Sequence, residues 1–151
     1  ESVVNETMEL ALIQAEKLNA RINTTIEPNL PAMNGDSVML EQLLLNLLKN
    51  AMEAVQPCPN HTIDLDVRLH ESGSFIQFRV ADHGTGIPDD AKTMLFDAFY
   101  STKDEGMGMG LNICRSIVEV HHGRIVISDT PGGGATFTFT VPVAREHPDL
   151  M

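Results

Sequence analysis

The chain has 151 residues, 42% of them hydrophobic and 21% charged, which is enough for one domain with a proper core and no need of disulfide staples. Its formal net charge of -11, from 21 Asp and Glu against 10 Lys and Arg, argues against a nucleic-acid or anionic-membrane surface, since both select clustered cations. No apolar run reaches the roughly 18 residues that a membrane span requires, and the two cysteines, Cys58 beside prolines and Cys114 in an apolar helical pattern, suit a reducing compartment. The opening Glu1-Ser2-Val3 carries no initiator Met and no signal peptide, so the first residues are expected to finish an element begun upstream.

In chain order, Val4, Met8, Ala11, Leu12 and Ala15 recur at helical spacing, and Arg21 to Glu27 alternates as a strand. Pro28, Pro31 and Asn34-Gly35 break the chain before Asp36, an N-cap for a long helix reaching about Val55 and stopped by Pro57 and Pro59. Thr62 to Leu69 and Phe75 to Ala81 alternate around Glu71-Ser72-Gly73 as an antiparallel hairpin. The stretch from Asp82 to Gly110 is glycine-rich, with a short helical piece around Met94 to Phe96, and long loops of this kind usually carry function. A helix from about Gly110 to His121 follows, capped by Gly123, then strands at Arg124 to Asp129 and Ala135 to Val143 around a Pro131 to Gly134 turn.

Three segments carry chemistry. On the long helix, Gln42, Asn50 and Glu53 fall within roughly 40° of Asn46 at about 100° per residue, opposite an arc of Leu40, Leu43, Leu44, Leu47, Leu48, Ala51 and Val55. That polar stripe is either a solvated face or a line of amides, and an amide oxygen is a ligand for a hard cation such as Mg2+ when phosphates are close. Asp82-His83-Gly84-Thr85-Gly86-Ile87-Pro88 follows a strand with a carboxylate and two glycines. This is either a turn with a solvated Asp or an acceptor for an amino group such as adenine's. Gly106-Met107-Gly108-Met109-Gly110-Leu111 is either a merely flexible loop or the opening of a helix whose free N–H groups and positive dipole end would suit a phosphate. It is not a dinucleotide fingerprint, because Tyr100 to Glu105 is not a strand, and it is not a Walker A loop, because no Gly-Lys-Ser/Thr follows.

Taken in order, Asn46-Leu-Leu-Lys-Asn50-Ala, Asp82-x-Gly84-x-Gly86-Ile87, Phe96-x-x-Phe99, Gly106-x-Gly108-x-Gly110-Leu111 and Gly133-Gly134-Ala135-Thr136-Phe resemble the N, G1, F, G2 and G3 boxes of the histidine-kinase catalytic domain. The resemblance spans about Ile22 to Val143 and places the chain among the GHKL ATPases, with gyrase B, the heat-shock chaperone ATPases and MutL. It implies an α+β two-layer sandwich, the Bergerat ATP-binding fold, in which a mixed, mostly antiparallel β-sheet packs against three α-helices. Residues 21–145 would form the ATP-binding domain, 1–20 either the end of an upstream helix or the first helix of the domain, and 146–151 a frayed tail.

The same resemblance implies ATP and Mg2+ as cofactors. Asp82 would receive the adenine amino group, Gly84, Gly86 and Ile87 would allow the ring's approach, and Thr136 would support it through water. Asn50 would bind Mg2+ with Asn46 helping, and both would serve catalysis together with Lys103. Phe96 and Phe99 would anchor a lid from Tyr100 to Gly106. Ser101, Thr102, Lys103, Gly106, Gly108, Gly110 and Leu111 would surround the phosphates. Phosphoryl transfer to an imidazole on a separate dimerisation domain is the implied reaction, with a response regulator downstream. Neither nucleic acid nor direct membrane contact is implied for this part, and its expected location is cytoplasmic whether or not the parent protein is anchored in an inner membrane.

None of His61, His70, His83, His121, His122 and His147 lies in a His-Glu/Asp-x-x-x-Pro acceptor box, so the acceptor is expected elsewhere. His121-His122 reads as a helix-end pair rather than a metal site, because adjacent residues point to different faces. Two departures stand out. Many histidine kinases carry Lys or Arg three residues after the second N-box Asn, where this chain has Glu53; Lys103, in a Tyr-Ser-Thr-Lys lid similar to that of nitrogen-regulatory, dicarboxylate and oxygen-sensing kinases, is the natural substitute. Asn46 stands where the chaperone and gyrase ATPases have a water-activating Glu, and an amide is no base, so hydrolysis is expected to be poor. Alternative readings are an anti-sigma-factor-type serine kinase and a non-enzymatic nucleotide-gated docking module presenting Met94, Leu95, Phe96 and Met107.

Overall fold

The computed structural model describes residues 2–84, 86 and 107–143. Helix α1 (Ser2–Lys17) turns Val4, Thr7, Ala11 and Ala15 inward, none of them more than 3% exposed, and packs on the next helix. It ends in a Schellman motif, with Ala20 N–H donating to Ala15 O, Asn19 N–H to Glu16 O, and Asn19 in the left-handed region at φ 56°. Strand β1 (Arg21–Ile26) follows at the edge of the sheet.

Helix α2 (Ser37–Ala54) starts where expected: the Asp36 carboxylate accepts from Val38 N and Met39 N at 2.9 and 3.1 Å. Its stability comes from burial more than from propensity, because Leu43, Leu44, Leu47 and Leu48 are fully buried and each contributes about 1.5–3 kcal/mol. Strands β2 (Thr62–Leu69) and β3 (Phe75–Asp82) form the anticipated hairpin, in register Ile63↔Asp82 to Leu69↔Ile76. Helix α3 (Met107–Val120) leads to β4 (Ile125–Asp129) and β5 (Ala135–Pro142), which are joined by a turn with Gly132, Gly133 and Gly134 all at positive φ.

The strand order is β1-β2-β3-β5-β4, with β1 and β2 parallel and every other pair antiparallel. Alternation puts Ile63, Leu65, Val67, Ile76, Phe78, Val80, Phe137, Phe139 and Val141 on the face covered by the helices, where the Phe78 and Phe139 rings stack at 4.6 Å. Asp64, Asp66, Gln77, Arg79, Thr138 and Thr140 line the other face. This is the expected two-layer sandwich, with a mixed, mostly antiparallel sheet against three helices among the described residues. None of those helices is long and apolar enough to cross a membrane.

Two expectations change in detail. Helix α3 begins at Met107, not Gly110, because Cys114, Ile117 and Val118 bury its inner face and outweigh the roughly 1 kcal/mol that each early glycine costs. Its cap is His122, not Gly123: His122 takes the left-handed position at φ 63°, with His122 N–H donating to Glu119 O and Gly123 N–H to Val118 O. Gly123 is needed for another reason, since a Cβ there would lie 1.9 Å from Thr140 O. The short helix anticipated around Met94 to Phe96 lies outside the described residues.

Candidate functional site

The last residue of β3 is a carboxylate buried to 2% exposure. Asp82 shares the helix-covered face with its register partner Ile63. Its Oδ1 accepts from Gly84 N and from Ala135 N, each at 3.0 Å, while among the described residues nothing donates to Oδ2. Burial pushes the carboxyl above the usual Asp range, and the two backbone N–H bonds and the neighbouring His83 only partly offset that. Among the described residues, Oδ2 is thus an acceptor without a donor.

Glycines make the close approaches around Asp82 feasible. Gly134 sits at φ 118°, and a Cβ on it would lie 2.1 Å from Asp82 O, so the β4–β5 turn lies directly on the end of β3. Gly86, at φ 80°, faces Gly134 O across 3.5 Å measured from its virtual Cβ, while a Cβ on Gly84 would lie 2.5 Å from Ala54 O. Gly84 thus sits against the last turn of α2, and Gly86 against the β4–β5 turn. One helical turn before Ala54 is Asn50, whose Nδ2 is buried without a hydrogen-bond partner.

Helix α3 forms the other wall. Cys114 opposes Leu43, with Sγ 3.9 Å from Leu43 O, and His121 opposes Asp36, so α2 and α3 run antiparallel. That direction brings the first turn of α3, with Gly108 and Gly110, towards the level of Asn50. Burial pushes the Cys114 thiol up to about 12, against the opposing effect of the Asn46 amide beside it. Asn46 and Asn50 are therefore one turn apart on the α2 wall, with Asn46 against the thiol.

For a divalent cation the residues fit. Nδ2 and Oδ1 of an amide exchange places by a half-turn of the amide group, so the orphaned end of Asn50 can present its oxygen instead. No group of three or more His, Cys, Asp or Glu able to hold a metal occurs among the described residues. A cation here would take its remaining ligands from water and phosphate, as Mg2+ commonly does.

Of the anticipated site residues, Asp82, Gly84 and Gly86 lie together, with Gly84 on Ala54 one turn beyond Asn50; Asn46 lies beside Cys114, and Gly108 and Gly110 are in the first turn of α3. Ile87, Phe99, Ser101, Thr102, Lys103 and Gly106 lie outside the described residues, as does the side chain of Leu111. Thr136 is a correction. It pairs with Ala81 and so projects from the face opposite to Asp82, where its Oγ1 is bonded to Thr130 Oγ1 at 2.9 Å. The residue that reaches Asp82 from β5 is Ala135, through its backbone N–H, which no side-chain pattern discloses. His83 also turns to the open face, where its Nε2 meets Asp64 Oδ2 at 3.2 Å. Of the pair at the end of α3, His121 is buried and His122 exposed.

The pattern that defines the histidine kinase-, DNA gyrase B- and HSP90-like ATPases matches residues 35–145. The C4-dicarboxylate transport sensor protein DctS of Rhodobacter capsulatus is 43% identical over 144 residues, covering 95% of this chain and 22% of that protein. The sensor protein FixL of Bradyrhizobium diazoefficiens is 36% identical over 145 residues, covering 96% of this chain and 28% of that protein. The chain thus spans about a quarter of the length of these relatives. Among solved structures, the nucleotide-free catalytic domain of histidine kinase ThkA superposes with a TM-score of 0.82 at 27% identity, covering 94% of this chain and 91% of that one. Full-length ShkA in complex with AMPPNP gives 0.81 at 29%, covering 95% of this chain and 30% of that one. The chain therefore belongs to the histidine kinase-, DNA gyrase B- and HSP90-like ATPase family, and within it has the fold of a histidine-kinase catalytic domain.

Proposed function

We propose that the chain binds ATP with Mg2+ between α2, α3 and the end of β3, and transfers the γ-phosphoryl group to a histidine on a separate dimerisation domain of its parent protein. The observation that carries this reading is Asp82, a buried carboxylate with one oxygen satisfied by two backbone N–H groups and the other left for an exocyclic amino group. Gly84, packed on Ala54 O, and Gly86, at positive φ beside Gly134, hold the chain that follows Asp82 close to it. Asn50 offers its amide oxygen to Mg2+, with Asn46 one turn away, and the N–H groups at the start of α3 face the phosphates. Ser101, Thr102, Lys103 and Gly106 complete the phosphate surroundings, with Phe99 anchoring the lid. In a chain of net charge -11, the cation and the helix dipole offset repulsion of a triphosphate.

The protein's part in such a transfer is to hold the donor in line with its acceptor and to stabilise charge, and neither task needs a base at Asn46. Net hydrolysis is accordingly slow. We assign α1 to the same domain, because Val4, Ala11 and Ala15 belong to its core. A cytoplasmic location and a response regulator as the final acceptor follow from the sensor-kinase relationship. Calorimetric titration of ATP with and without Mg2+, on the chain and on Asn50→Ala, tests the reading. Micromolar or weaker binding that loses its Mg2+ dependence in the variant supports it, and no binding to the unsubstituted chain contradicts it.

A further inference from the structure

Away from the nucleotide cleft, the other ends of α2 and α3 meet at His121, a residue that is 7% exposed. Its Nδ1 lies 2.8 Å from Ile117 O, one turn earlier in its own helix, and its Nε2 lies 3.0 Å from the backbone N of Asp36. A carbonyl oxygen only accepts and an amide N–H only donates, so these contacts define a neutral ring with its proton on Nδ1 and a lone pair on Nε2. Asp36 is the N-cap of α2, so the same residue secures its own helix with its carboxylate and the neighbouring helix with its N–H. The backbone is shaped for this contact: a Cβ at Gly35 would lie 2.4 Å from His121 Cδ2.

We propose that His121 is a positioning residue that locks the end of α3 to the N-cap of α2 and thereby sets the spacing between Asn50 and the first turn of α3; the inference rests on the nucleotide reading above. The two helices are antiparallel, so the two ends that would hold metal and phosphate lie together at one side, and the His121 contact lies at the other. Along the seam the Cys114 thiol offers only weak sulfur bonds, to Leu43 O at 3.9 Å and to the Asn46 amide, whereas the Asp36 N–H to His121 bond, at 3.0 Å, joins a nitrogen donor to a nitrogen acceptor. Helix α3, with 14 residues, is a rod of about 21 Å at 1.5 Å per residue, so an angular change at its far end moves the glycines at its start.

Two variants isolate the contact. In His121→Asn the side-chain amide can still reach Ile117 O but leaves the Asp36 N–H without an acceptor. In His121→Gln an oxygen can extend to where Nε2 sits. Both lose the ring's packing against Gly35, so their unfolding midpoints fall by similar amounts, and only the tie to α2 separates them. For Mg2+·ATP measured by calorimetry on the folded chain, the expected result is a Kd raised about threefold to tenfold in His121→Asn, the effect of one hydrogen bond. His121→Gln should stay within about twofold of the parent. Nitrogen NMR of the parent should show Nδ1 protonated and Nε2 bare. Equal affinity in parent and Asn variant, equal weakening in both variants, or the opposite tautomer overturns the positioning role. Absence of binding by the parent overturns the nucleotide reading, and the tautomer measurement still judges the contact.

Discussion

Replacing Asp82 by Asn separates what the side chain does for the fold from what it does for a ligand. The Asn Oδ1 can keep both bonds that Asp82 Oδ1 accepts, from Gly84 N and Ala135 N at 3.0 Å, so the loop keeps its anchor. The Nδ2 then occupies the place of Oδ2 and presents a donor to the adenine amino donor. A hydrogen bond to a charged acceptor contributes about 1.5–3 kcal/mol, so ATP affinity should fall about tenfold to 150-fold. The unliganded fold should move the other way. Burial holds the folded carboxyl above its unfolded value, so the ionised form costs stability. That cost is absent below the unfolded pKa and grows as pH rises through the folded one. Asp82→Asn removes it, so without nucleotide the variant should unfold at the same or a higher temperature at neutral pH, with a flatter acid-side profile. Calorimetry with ATP, and thermal unfolding against pH without it, measure the two halves. Unchanged ATP affinity, or a neutral-pH loss of stability matching the loss of affinity, would refute the reasoning.

Other perturbations test the surrounding architecture. Gly134→Ala places a Cβ 2.1 Å from Asp82 O at φ 118° and should cost upwards of about 2 kcal/mol in urea unfolding, whereas Gly132→Ala, at φ 88° in open space, should cost about 1 kcal/mol. Leu47→Ala, at a fully buried position of α2, should cost about 2–5 kcal/mol in the same assay. Thiol titration of the native chain near pH 8 should label Cys58 and spare Cys114, whose thiol is buried and pushed up to about 12; both should react after denaturation. Because the unfolded thiol ionises near 9.0 and the folded one does not, stability should fall as pH rises above 9.0, and less so in Cys114→Ala.

Local signals made several parts of this fold legible in the sequence. Asp36, the Leu face and Pro57 delimit α2 without reference to anything distant, and the alternation from Thr62 to Leu69 and from Phe75 onward is a period-two pattern with a glycine turn between. The start of α3 was not legible, because glycine at 108 and 110 reads as loop until Cys114 and Val118 find their partners in the core. The side of the sheet on which Thr136 falls was not legible either. It depends on the register Ala81↔Thr136, set by pairing across more than fifty residues, and the same pairing delivers the Ala135 N–H to Asp82. In sequence His121 reads as half of a helix-end pair, and only the fold, with Gly35 making room for the ring, brings the Asp36 N–H to its Nε2.

The most direct test of the central claim is transfer itself. The chain is mixed with the histidine-bearing domain of its own parent protein, γ-labelled ATP and Mg2+, and the label is followed on the acceptor by its acid lability and base stability. Label on a histidine, dependent on Asn50 and Asp82 and absent when the acceptor domain is left out, is the predicted result. Label on serine, or nucleotide binding with no transfer to the acceptor domain, would contradict it.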